Sequence, residues 1–273
     1  MCIRDSDLAN DPVTDDIVGA MRDQGIHVLW GPEAEGKRKT PSVERIVAEL
    51  AHLTNAREPN RKSIVITLGA TRSPIDDVRH VQNTSSGATG WSLADHLHKH
   101  GHDVTCVAGI TTMEAPEWLP LVLHCPTPEA MLKECKALAN DHIDAWVHAA
   151  AVLDYVVQSP AEGKLASQQG SLNLSLVESQ KHIMELKKAC ASAVRIGFKL
   201  ESGIKQKDLI HRAYAQIQKA EMTAVVANRL EDLGSSNKPR GYLVDQKGAH
   251  FVLESTVELN DAVQTLIERG KED

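Results

Sequence analysis

Residues 64–90 constrain the fold of this chain more than any other stretch. They read IVITLGATRSPIDDVRHVQNTSSGATG, an apolar run of strand length and then a polar, glycine-bearing loop that leads into a helical pattern. In α/β proteins this order holds phosphates, because backbone N–H groups and the positive end of the helix dipole face the anion. Neither G-x-G-x-x-G nor G-x-x-x-x-G-K-[ST] is present. The stretch is therefore neither the common dinucleotide fingerprint nor a P-loop, and it predicts an anion-binding loop of another kind.

Strand and helix patterns alternate along the rest of the chain. Helices are predicted at residues 90–100, 127–140, 181–190, 207–220 and 259–269, and strands at 103–108, 144–151, 194–199 and 223–227. This alternation predicts a Rossmann-like α/β fold with a mostly parallel sheet, helices on both faces and ligands at the carboxyl ends of the strands. The period-two spacing of Leu172, Leu174 and Leu176 predicts a β-hairpin arm within residues 163–177. A second hairpin is predicted at residues 241–253.

The first 60 residues predict less than a domain. The expected elements are a helix at 15–22, a short strand at 27–30, a helix at 42–53 and a linker at 54–62. Helical spacing of Val43, Ile46 and Leu50 supports the second helix. We therefore expect one complete α/β domain at 61–273, preceded by a fragment at 1–60 that is too small to enclose a cofactor by itself.

The composition argues against several classes of partner. The net charge is −7 and aromatic residues make up 3% of the chain, so a general nucleic-acid surface is not expected. No apolar run reaches the ~18 residues of a membrane span, and the start of the chain has no apolar segment typical of secretion. Five cysteines without a C-x-x-C pair fit a reducing compartment. We expect a cytoplasmic protein that binds neither nucleic acid nor membrane.

The loop after the first main strand carries the first set of candidate site residues. Its small and polar members are Gly69, Thr71, Arg79, Asn83, Ser85, Ser86 and Gly87. The serines can present hydroxyl and N–H groups at a helix start, and Arg79 and Asn83, four residues apart, can converge on a carboxylate or phosphate. The alternative is a polar surface loop with a serine cap on the following helix. The position after a buried strand favours the functional interpretation.

The end of a second buried strand carries the next set of candidates. Residues 149–155 read AAAVLDY, and the small side chains permit close approach of a base or ribose. Asp154 could accept a hydrogen bond from an amino or hydroxyl group, and Lys164 could neutralise phosphate charge. A turn with an exposed lysine explains the same residues equally well.

The segment HLHKHGH at residues 96–102 does not predict a metal site. Alternate residues on a helix lie about 200° apart, so only His96 and His100 could share one face. A site needs three or four convergent ligands, and we interpret the segment as a polar helix end. The sequence contains no G-x-S-x-G and no recognised Cys/His pairing, which leaves a nucleophilic hydrolase unsupported.

Taken in order, these motifs resemble phosphopantothenate–cysteine ligase (phosphopantothenoylcysteine synthetase), the ligase half of a bifunctional flavoprotein of coenzyme A biosynthesis. The resemblance runs from about Lys62 to Arg269 and rests on GATRSPIDDVRHVQNTSSGATG, AAAVLDY, GFKLES, VVAN and GSSN. It implies that the carboxylate of 4′-phosphopantothenate attacks the α-phosphate of a nucleoside triphosphate, and that L-cysteine then displaces the nucleotide from the acyl-nucleotide. It also implies a homodimer.

The resemblance implies roles for individual residues as well. Asn83 would contact the phosphopantothenoyl group, Arg79 would support its loop, and Lys164 would serve the phosphates and the second step. The cofactor-binding positions would be Gly69, Thr71, Ser86, Gly87, Ala149, Ala150, Asp154, Phe198 and Lys219. Mg²⁺ would bridge the triphosphate, through protein ligands that the sequence does not identify.

Departures from the family's pattern bear on the choice of nucleotide. The bacterial lysine-rich run that begins at Lys164 reads KLAS here, and Lys219 is a nearby candidate for a lysine pair that the family has before VVAN. The segments FKLE and NRLE look closer to the ATP-using eukaryotic type. These two segments make ATP the alternative nucleotide. We nevertheless expect CTP and an acyl-cytidylate intermediate.

The first segment resembles the end of the flavin-dependent decarboxylase half and its linker. The flavin pocket and catalytic histidine of that half would lie upstream, so we expect neither FMN binding nor decarboxylation by this chain. A truncated gene product that associates with a separate decarboxylase is one expectation. A non-catalytic partner subunit, favoured by the shortened lysine run, is a second hypothesis. A nicotinamide-dependent reductase is a third, disfavoured by the missing G-x-G-x-x-G.

Overall fold

The computed structural model describes residues 12–31, 33, 34, 37, 38, 40–167, 170–235 and 237–271. The helices are α1 (Pro12–Asp23), α2 (Val43–Asn55), α3 (Ala88–Lys99), α4 (Pro128–Leu138), α5 (His182–Glu185), α6 (Gln206–Ala220) and α7 (Thr256–Arg269). The strands are β1 (Glu33–Ala34), β2 (Lys37–Arg38), β3 (Ser63–Leu68), β4 (Arg72–Pro74), β5 (His80–Gln82), β6 (Asp103–Ala108), β7 (Leu121–His124), β8 (Ala145–His148), β9 (Tyr155–Val157), β10 (Leu176–Glu178), β11 (Val194–Glu201), β12 (Ala224–Arg229), β13 (Gly241–Asp245) and β14 (His250–Leu253). Within these described ranges, no helix is long and apolar enough to cross a membrane.

The centre of the fold is an eight-stranded, mostly parallel sheet with helices on both faces, which confirms the predicted class. The strand order is β14-β13-β12-β11-β8-β3-β6-β7, with antiparallel pairing of β13 to both of its neighbours. From β3 the chain builds outward to β6 and β7, and then crosses back to β8, β11 and β12 on the other side. The order therefore reverses between β3 and β8. Open α/β sheets bind ligands outside the carboxyl ends of the strands at such a point.

Apolar runs explain why the central strands are buried. Five of the six residues of β3 and all four of β8 are buried, as expected for parallel strands that are covered on both faces. On one face α3 and α7 pack through Leu93, Leu97 and Val263. On the other face α4 packs through Met131 and Cys135. Burial of each such leucine contributes roughly 1.5–3 kcal/mol, so the carboxyl ends of β3 and β8 are held firmly in place.

Two glycines bring the start of α3 against the end of β3. Gly87 is the N-cap residue of α3 and has φ 79°, a left-handed conformation that strongly favours glycine. A Cβ at Gly90 would lie 2.3 Å from Cβ of Leu68. The glycines of the predicted anion-binding loop thus serve close packing of helix, loop and strand.

Several local predictions are wrong. Residues 27–30 form no strand, whereas β1 and β2 pair with each other in the stretch before the helix predicted at 42–53. The helix predicted at 181–190 ends at Glu185. The edge strand β7 has no counterpart among the predictions, because its half-exposed residues follow a proline and form a run of only four.

The hairpin arm predicted within residues 163–177 is confirmed only at its end, where β10 forms a small antiparallel sheet. Only β10 pairs there, in a three-residue ladder with β9, and Leu172 and Leu174 are exposed. Residues 168 and 169 lie outside the described part of the chain. A period-two pattern forms a strand only where a sheet edge and a core exist to receive it. The hairpin predicted at 241–253 is confirmed as β13 and β14.

The histidine-rich segment is a helix–helix contact rather than a polar helix end. The His98 ring stacks on His52 of α2, with centroids 4.1 Å apart and planes 4° apart. His102 is fully buried, and its Nδ1 accepts a hydrogen bond of 3.2 Å from the N–H of Lys62. Burial lowers the pKa of His98 to about 4, and the charge of His52 acts in the same direction. These rings help to hold α2 against α3.

Candidate functional site

A cavity of about 540 Å³ opens at the carboxyl ends of β3 and β8, where the strand order reverses. The predicted site residues that line it are Gly69, Ser85, Ser86, Gly87, Ala149, Ala150, Asp154 and Phe198. The predicted residues outside its lining are Thr71, Arg79, Asn83, Lys164 and Lys219. The two glycine- and alanine-rich loops therefore meet at one place, as the sequence indicates. The predicted cations and Asn83 do not line the cavity.

The start of α3 presents small and polar groups to this cavity. The N–H of Gly87 donates to Oγ of Ser85 and the N–H of Ala88 donates to Oγ of Ser86, each at 3.3 Å. A Cβ at Gly87 would lie 2.5 Å from Cγ2 of Thr111, so glycine keeps this turn open. The N–H groups of a first helical turn and the positive end of the helix dipole favour an anion here.

Asn83 joins the two loops that form the cavity. Its Nδ2 donates to the carbonyl oxygens of Ala151 and Val152, at 3.2 and 3.1 Å. Both of those residues line the cavity in the loop after β8. Because Nδ2 is held by two carbonyl groups, the orientation of the amide oxygen is fixed as well.

Thr71 lies beneath the site rather than in it. Its side chain is fully buried, and its Oγ1 accepts a hydrogen bond of 2.9 Å from the N–H of Leu153. Its own N–H donates to the carbonyl of Ala151 at 3.2 Å. Thr71 therefore holds the loop after β3 against the loop after β8, and it does not face the cavity.

The segment that carries Lys164 is tied to the loop between β4 and β5 by a buried carboxylate. Asp76 is 3% exposed, and its Oδ2 accepts hydrogen bonds from Nη1 of Arg79 at 2.6 Å and from the N–H of Leu165 at 3.1 Å. Nη1 of Arg79 also donates to the carbonyl of Leu165 at 3.3 Å. We call Asp76, Arg79 and Leu165 the clamp. It uses Arg79 to hold backbone next to Lys164, which is itself exposed.

The clamp keeps Asp76 ionised. Burial alone raises the pKa of its carboxyl group, but hydrogen bonds from the N–H groups of Val78, Arg79 and Leu165, together with the charge of Arg79, lower it to about 2. A charged acceptor makes stronger hydrogen bonds than a neutral one. The tie between the two segments is therefore present throughout the neutral pH range.

Lys219 lines a second cavity of about 380 Å³ next to the first. Lys199 and Gln216 line both cavities. Lys181 and Arg212 line the second as well, and Arg212 donates to Glu201 at 2.7 Å. The main cavity thus has a basic region at its side.

With this geometry in view, the chain can be compared with known proteins. Residues 60–269 match the family described as "DNA/pantothenate metabolism flavoprotein C-terminal domain". The chain belongs to this family. The resemblance that the sequence motifs indicate is thereby confirmed, and the DNA/pantothenate metabolism flavoprotein C-terminal domain accounts for the sheet and for both loops of the cavity.

A curated relative of this flavoprotein domain comes from Thermococcus kodakarensis, the "Coenzyme A biosynthesis bifunctional protein CoaBC". It is 31% identical over 231 residues, which cover 84% of this chain. The chain spans 57% of the length of that relative. The similarity therefore extends along most of this chain and little more than half of the relative.

Solved structures share the fold of the flavoprotein domain. The DNA/pantothenate metabolism flavoprotein from Streptococcus pneumoniae has a TM-score of 0.69 at 20% identity, over 76% of this chain and 99% of that one. Cab2 mutant H337A, in complex with phosphopantothenate-cysteine, has a TM-score of 0.56 at 18% identity, over 82% of this chain and 92% of that one. At these identities the likeness shows the fold.

The structure also adds residues to the site of this flavoprotein domain that the sequence interpretation missed. Further lining residues are Thr89, Lys199, Leu200, Gln216, Asn228, Leu230, Leu233 and Arg240. The VVAN motif, which ends at Asn228, was a usable signal for one of them. No local pattern marks Arg240, because its partner Thr89 at the start of α3 lies 151 residues earlier in the chain. The two residues meet only because β13 begins next to α3.

Proposed function

We propose that this domain is a phosphopantothenate–cysteine ligase of coenzyme A biosynthesis. The Thermococcus relative is named for coenzyme A biosynthesis, and the neighbour of similar fold binds phosphopantothenate-cysteine. The observation that carries the proposal is the hydrogen bonding of Asn83 to the loop after β8, beside a cavity that the start of α3 also lines. One side of the cavity suits an acyl group and the other suits phosphates.

In the first half-reaction a carboxylate oxygen of 4′-phosphopantothenate bonds to the α-phosphorus of the nucleotide, while the bond from that phosphorus to pyrophosphate breaks. Negative charge grows on the phosphate oxygens, so N–H groups and hydroxyl groups around Ser86 and Gly87 would stabilise it. Asn83, fixed by two carbonyl groups, would position the acyl end. The step needs positioning and charge neutralisation rather than a nucleophile supplied by the protein.

In the second half-reaction the amine of cysteine attacks the acyl carbon. The C–N bond forms, the bond from that carbon to the nucleotide oxygen breaks, the amine loses a proton, and the nucleoside monophosphate leaves. Lys164 would approach the departing phosphate from its exposed segment, at a distance set by the clamp. Arg79, which is engaged with Asp76, would act as a positioning residue.

The nucleoside would lie against the loop after β8. Ala149 and Ala150 leave room for it, Phe198 and Leu200 offer apolar surface, and Asp154 offers a carboxylate at the rim. CTP is the expected nucleotide, with ATP as the alternative. Mg²⁺ would neutralise triphosphate charge. Asp154 is the only carboxylate among the described residues that line the cavity, so phosphate oxygens and water would supply most of the ligands of the ion.

Two features of assembly belong to the same proposal. The domain would work as a homodimer, and a flavin-dependent decarboxylase would consume its product. A non-catalytic partner subunit is the second candidate, because Lys164 is exposed and the lysine run is short.

The test is to supply purified protein with 4′-phosphopantothenate, L-cysteine and Mg²⁺, with CTP or ATP in parallel, and to follow pyrophosphate and 4′-phosphopantothenoylcysteine. The proposal expects both products with one of the nucleotides. Pyrophosphate without the cysteine product would locate a defect in the second half-reaction. Folded protein that releases no pyrophosphate with either nucleotide would overturn the proposal in favour of the non-catalytic subunit.

A further inference from the structure

Arg240 is a half-buried arginine that lines the main cavity, and no carboxylate in the described part of the chain pairs with it. Its Nη2 donates to Oγ1 of Thr89 at 2.5 Å. Its Nη1 is enclosed and has no hydrogen-bond partner among the described residues. Burial lowers the pKa of the guanidinium group, with no nearby carboxylate to oppose the shift. Enclosing an unpaired charge costs free energy, so this placement needs a reason.

Other arginines near the site are satisfied within the chain. Arg79 pairs with Asp76 at 2.6 Å and Arg229 pairs with Asp232 at 2.6 Å. Such pairs meet the donors of the planar guanidinium fork with carboxylate oxygens. Arg240 differs from both, because no carboxylate among the described residues pairs with it and its enclosed Nη1 has no acceptor there.

The backbone of Arg240 is anchored to two strands of the sheet. Its carbonyl oxygen accepts a hydrogen bond of 3.2 Å from Nδ2 of Asn228, and the residue leads directly into β13. Its partner Thr89 is the second residue of α3. The guanidinium group therefore lies at the first turn of α3, where the helix dipole also contributes positive potential. Two positive sources at one end of a cavity favour an anion between them.

We propose that Arg240 binds a phosphate group of a substrate at the start of α3, with its guanidinium group, which lines the main cavity, donating to a phosphate oxygen. The inference rests on the proposed function and extends it to a residue that none of the sequence motifs indicates. A planar fork that donates to phosphate oxygens is the chemistry for which arginine is suited. Two substrates carry the group: the nucleoside triphosphate, and 4′-phosphopantothenate as a phosphate monoester.

The test compares each phosphorylated ligand with its counterpart that lacks phosphate. Equilibrium binding of CTP, cytidine, 4′-phosphopantothenate and pantothenate is measured for the wild type, Arg240→Gln and Arg240→Lys. Lys238→Gln is the matched control, because Lys238 is an exposed cation two residues away. We expect Arg240→Gln to weaken at least one phosphorylated ligand about 10-fold or more, as for loss of a charged hydrogen bond of about 1.5–3 kcal/mol. Its counterpart without phosphate, and Lys238→Gln, should change less than about 2-fold.

The affected ligand identifies the source of the phosphate. Loss confined to CTP assigns Arg240 to the nucleotide, and loss confined to 4′-phosphopantothenate assigns it to the phosphate monoester. Arg240→Lys, which keeps the charge without the fork, should fall between Arg240→Gln and the wild type. If Arg240→Gln fails to fold by circular dichroism, Thr89→Val removes the partner of the guanidinium group and should weaken the same ligand.

The inference is overturned if Arg240→Gln binds all four ligands as the wild type does, or weakens both members of a pair equally. Turnover of the wild type is measured in the same preparations. Product formation combined with unchanged binding by Arg240→Gln overturns this inference and leaves the proposed function standing. A folded wild type that binds none of the four ligands overturns both.

Discussion

The β3–α3 unit (residues 63–99) and the arm (residues 158–181) both bear on the proposed site, but they are built differently. In the unit, β3 is buried and Leu93, Leu97 and Trp91 pack into the main core. In the arm, none of the described residues is buried. The unit therefore takes its shape from burial of apolar surface, whereas the arm takes its shape from a few polar ties.

The difference shows which functional groups are on core-packed elements and which are on an exposed segment. Groups that must hold still, such as the start of α3, are on elements whose position is fixed by the core. Lys164 is on a segment whose main tie is the clamp through Asp76. A segment with few buried contacts opens at low free-energy cost. We infer that the arm can adjust around a substrate without disturbing the sheet.

The largest contrast should come from matched leucine substitutions. Leu97→Ala in the unit should cost about 3 kcal/mol of unfolding free energy, because it leaves a cavity in a packed core. Leu172→Ala in the arm should cost less than about 0.5 kcal/mol, because Leu172 is 57% exposed. Urea unfolding measures both values. Equal losses at the two positions would contradict the division into a packed unit and an exposed arm.

Within the unit, Asn83→Ala should reduce kcat/KM about 100-fold, the scale for loss of a preorganised polar group. The change removes the amide that joins the two loops of the cavity. The exposed neighbour Gln82 provides the control Gln82→Ala, which should leave kcat/KM within about 2-fold. Unchanged pyrophosphate release by folded Asn83→Ala would show that the amide plays no part in the reaction.

The clamp between the two regions should give a smaller effect. Asp76→Asn replaces an acceptor of Arg79 and of the N–H of Leu165, so the second half-reaction should slow about 10-fold, equivalent to about 1.4 kcal/mol. Hydrogen exchange at residues 161–167 should rise in the same variant. Asp77→Asn, at the exposed adjacent carboxylate, should change neither. Faster exchange without slower turnover would mean that the clamp has only a structural role.

Lowering the pH should affect the stability of the two regions at different pH values. The pKa of His98 is lowered to about 4 from 6.5, so the unfolded chain binds a proton that the folded chain does not as pH falls below 6.5. That group should cost about 1 kcal/mol of stability between pH 7 and 5, after allowance for screening. The pKa of Asp76 is lowered to about 2 from 3.8, so its contribution is full above pH 3.8 and is lost as pH falls through about 2.

Unfolding measured from pH 7 to 5 checks this separation. His98→Phe should flatten the dependence of stability on pH, whereas His142→Gln, at a 91% exposed side chain, should not. The hydrogen-exchange protection factors of residues 161–167, corrected for the intrinsic pH dependence of exchange, should stay constant over the same range because the clamp remains charged. If, as pH is lowered, the arm lost protection from exchange at a higher pH than the contact between α2 and α3 lost stability, the result would contradict both pKa directions.

Sequence patterns predict the parts of this molecule that local physics determines. The run Ile64–Leu68 and the segment Asp103–Ala108 form strands as predicted, and Thr127 caps its helix through a hydrogen bond from the N–H of Ala130. In these places burial and capping agree with the intrinsic preferences of the residues. The same agreement made the two loops of the cavity predictable from their glycines and alanines.

The failures lie where distant segments decide the outcome. Leu172 and Leu174 alternate like a strand but find no core, and the segment 96–102 looks polar although His98 and His102 are buried. Arg240 reaches the cavity only through the pairing of β12 with β13. None of these contacts has a local signature, because each depends on which strands become neighbours.

The most direct test of the central claim follows one oxygen atom. With 4′-phosphopantothenate labelled with ¹⁸O in its carboxylate, formation of an acyl-nucleotide predicts one labelled oxygen in the nucleoside monophosphate at the end of turnover. Mass spectrometry of the nucleotide measures this transfer. Label found in inorganic phosphate together with a nucleoside diphosphate would mean that the γ-phosphate is transferred instead, and would contradict the account of this site.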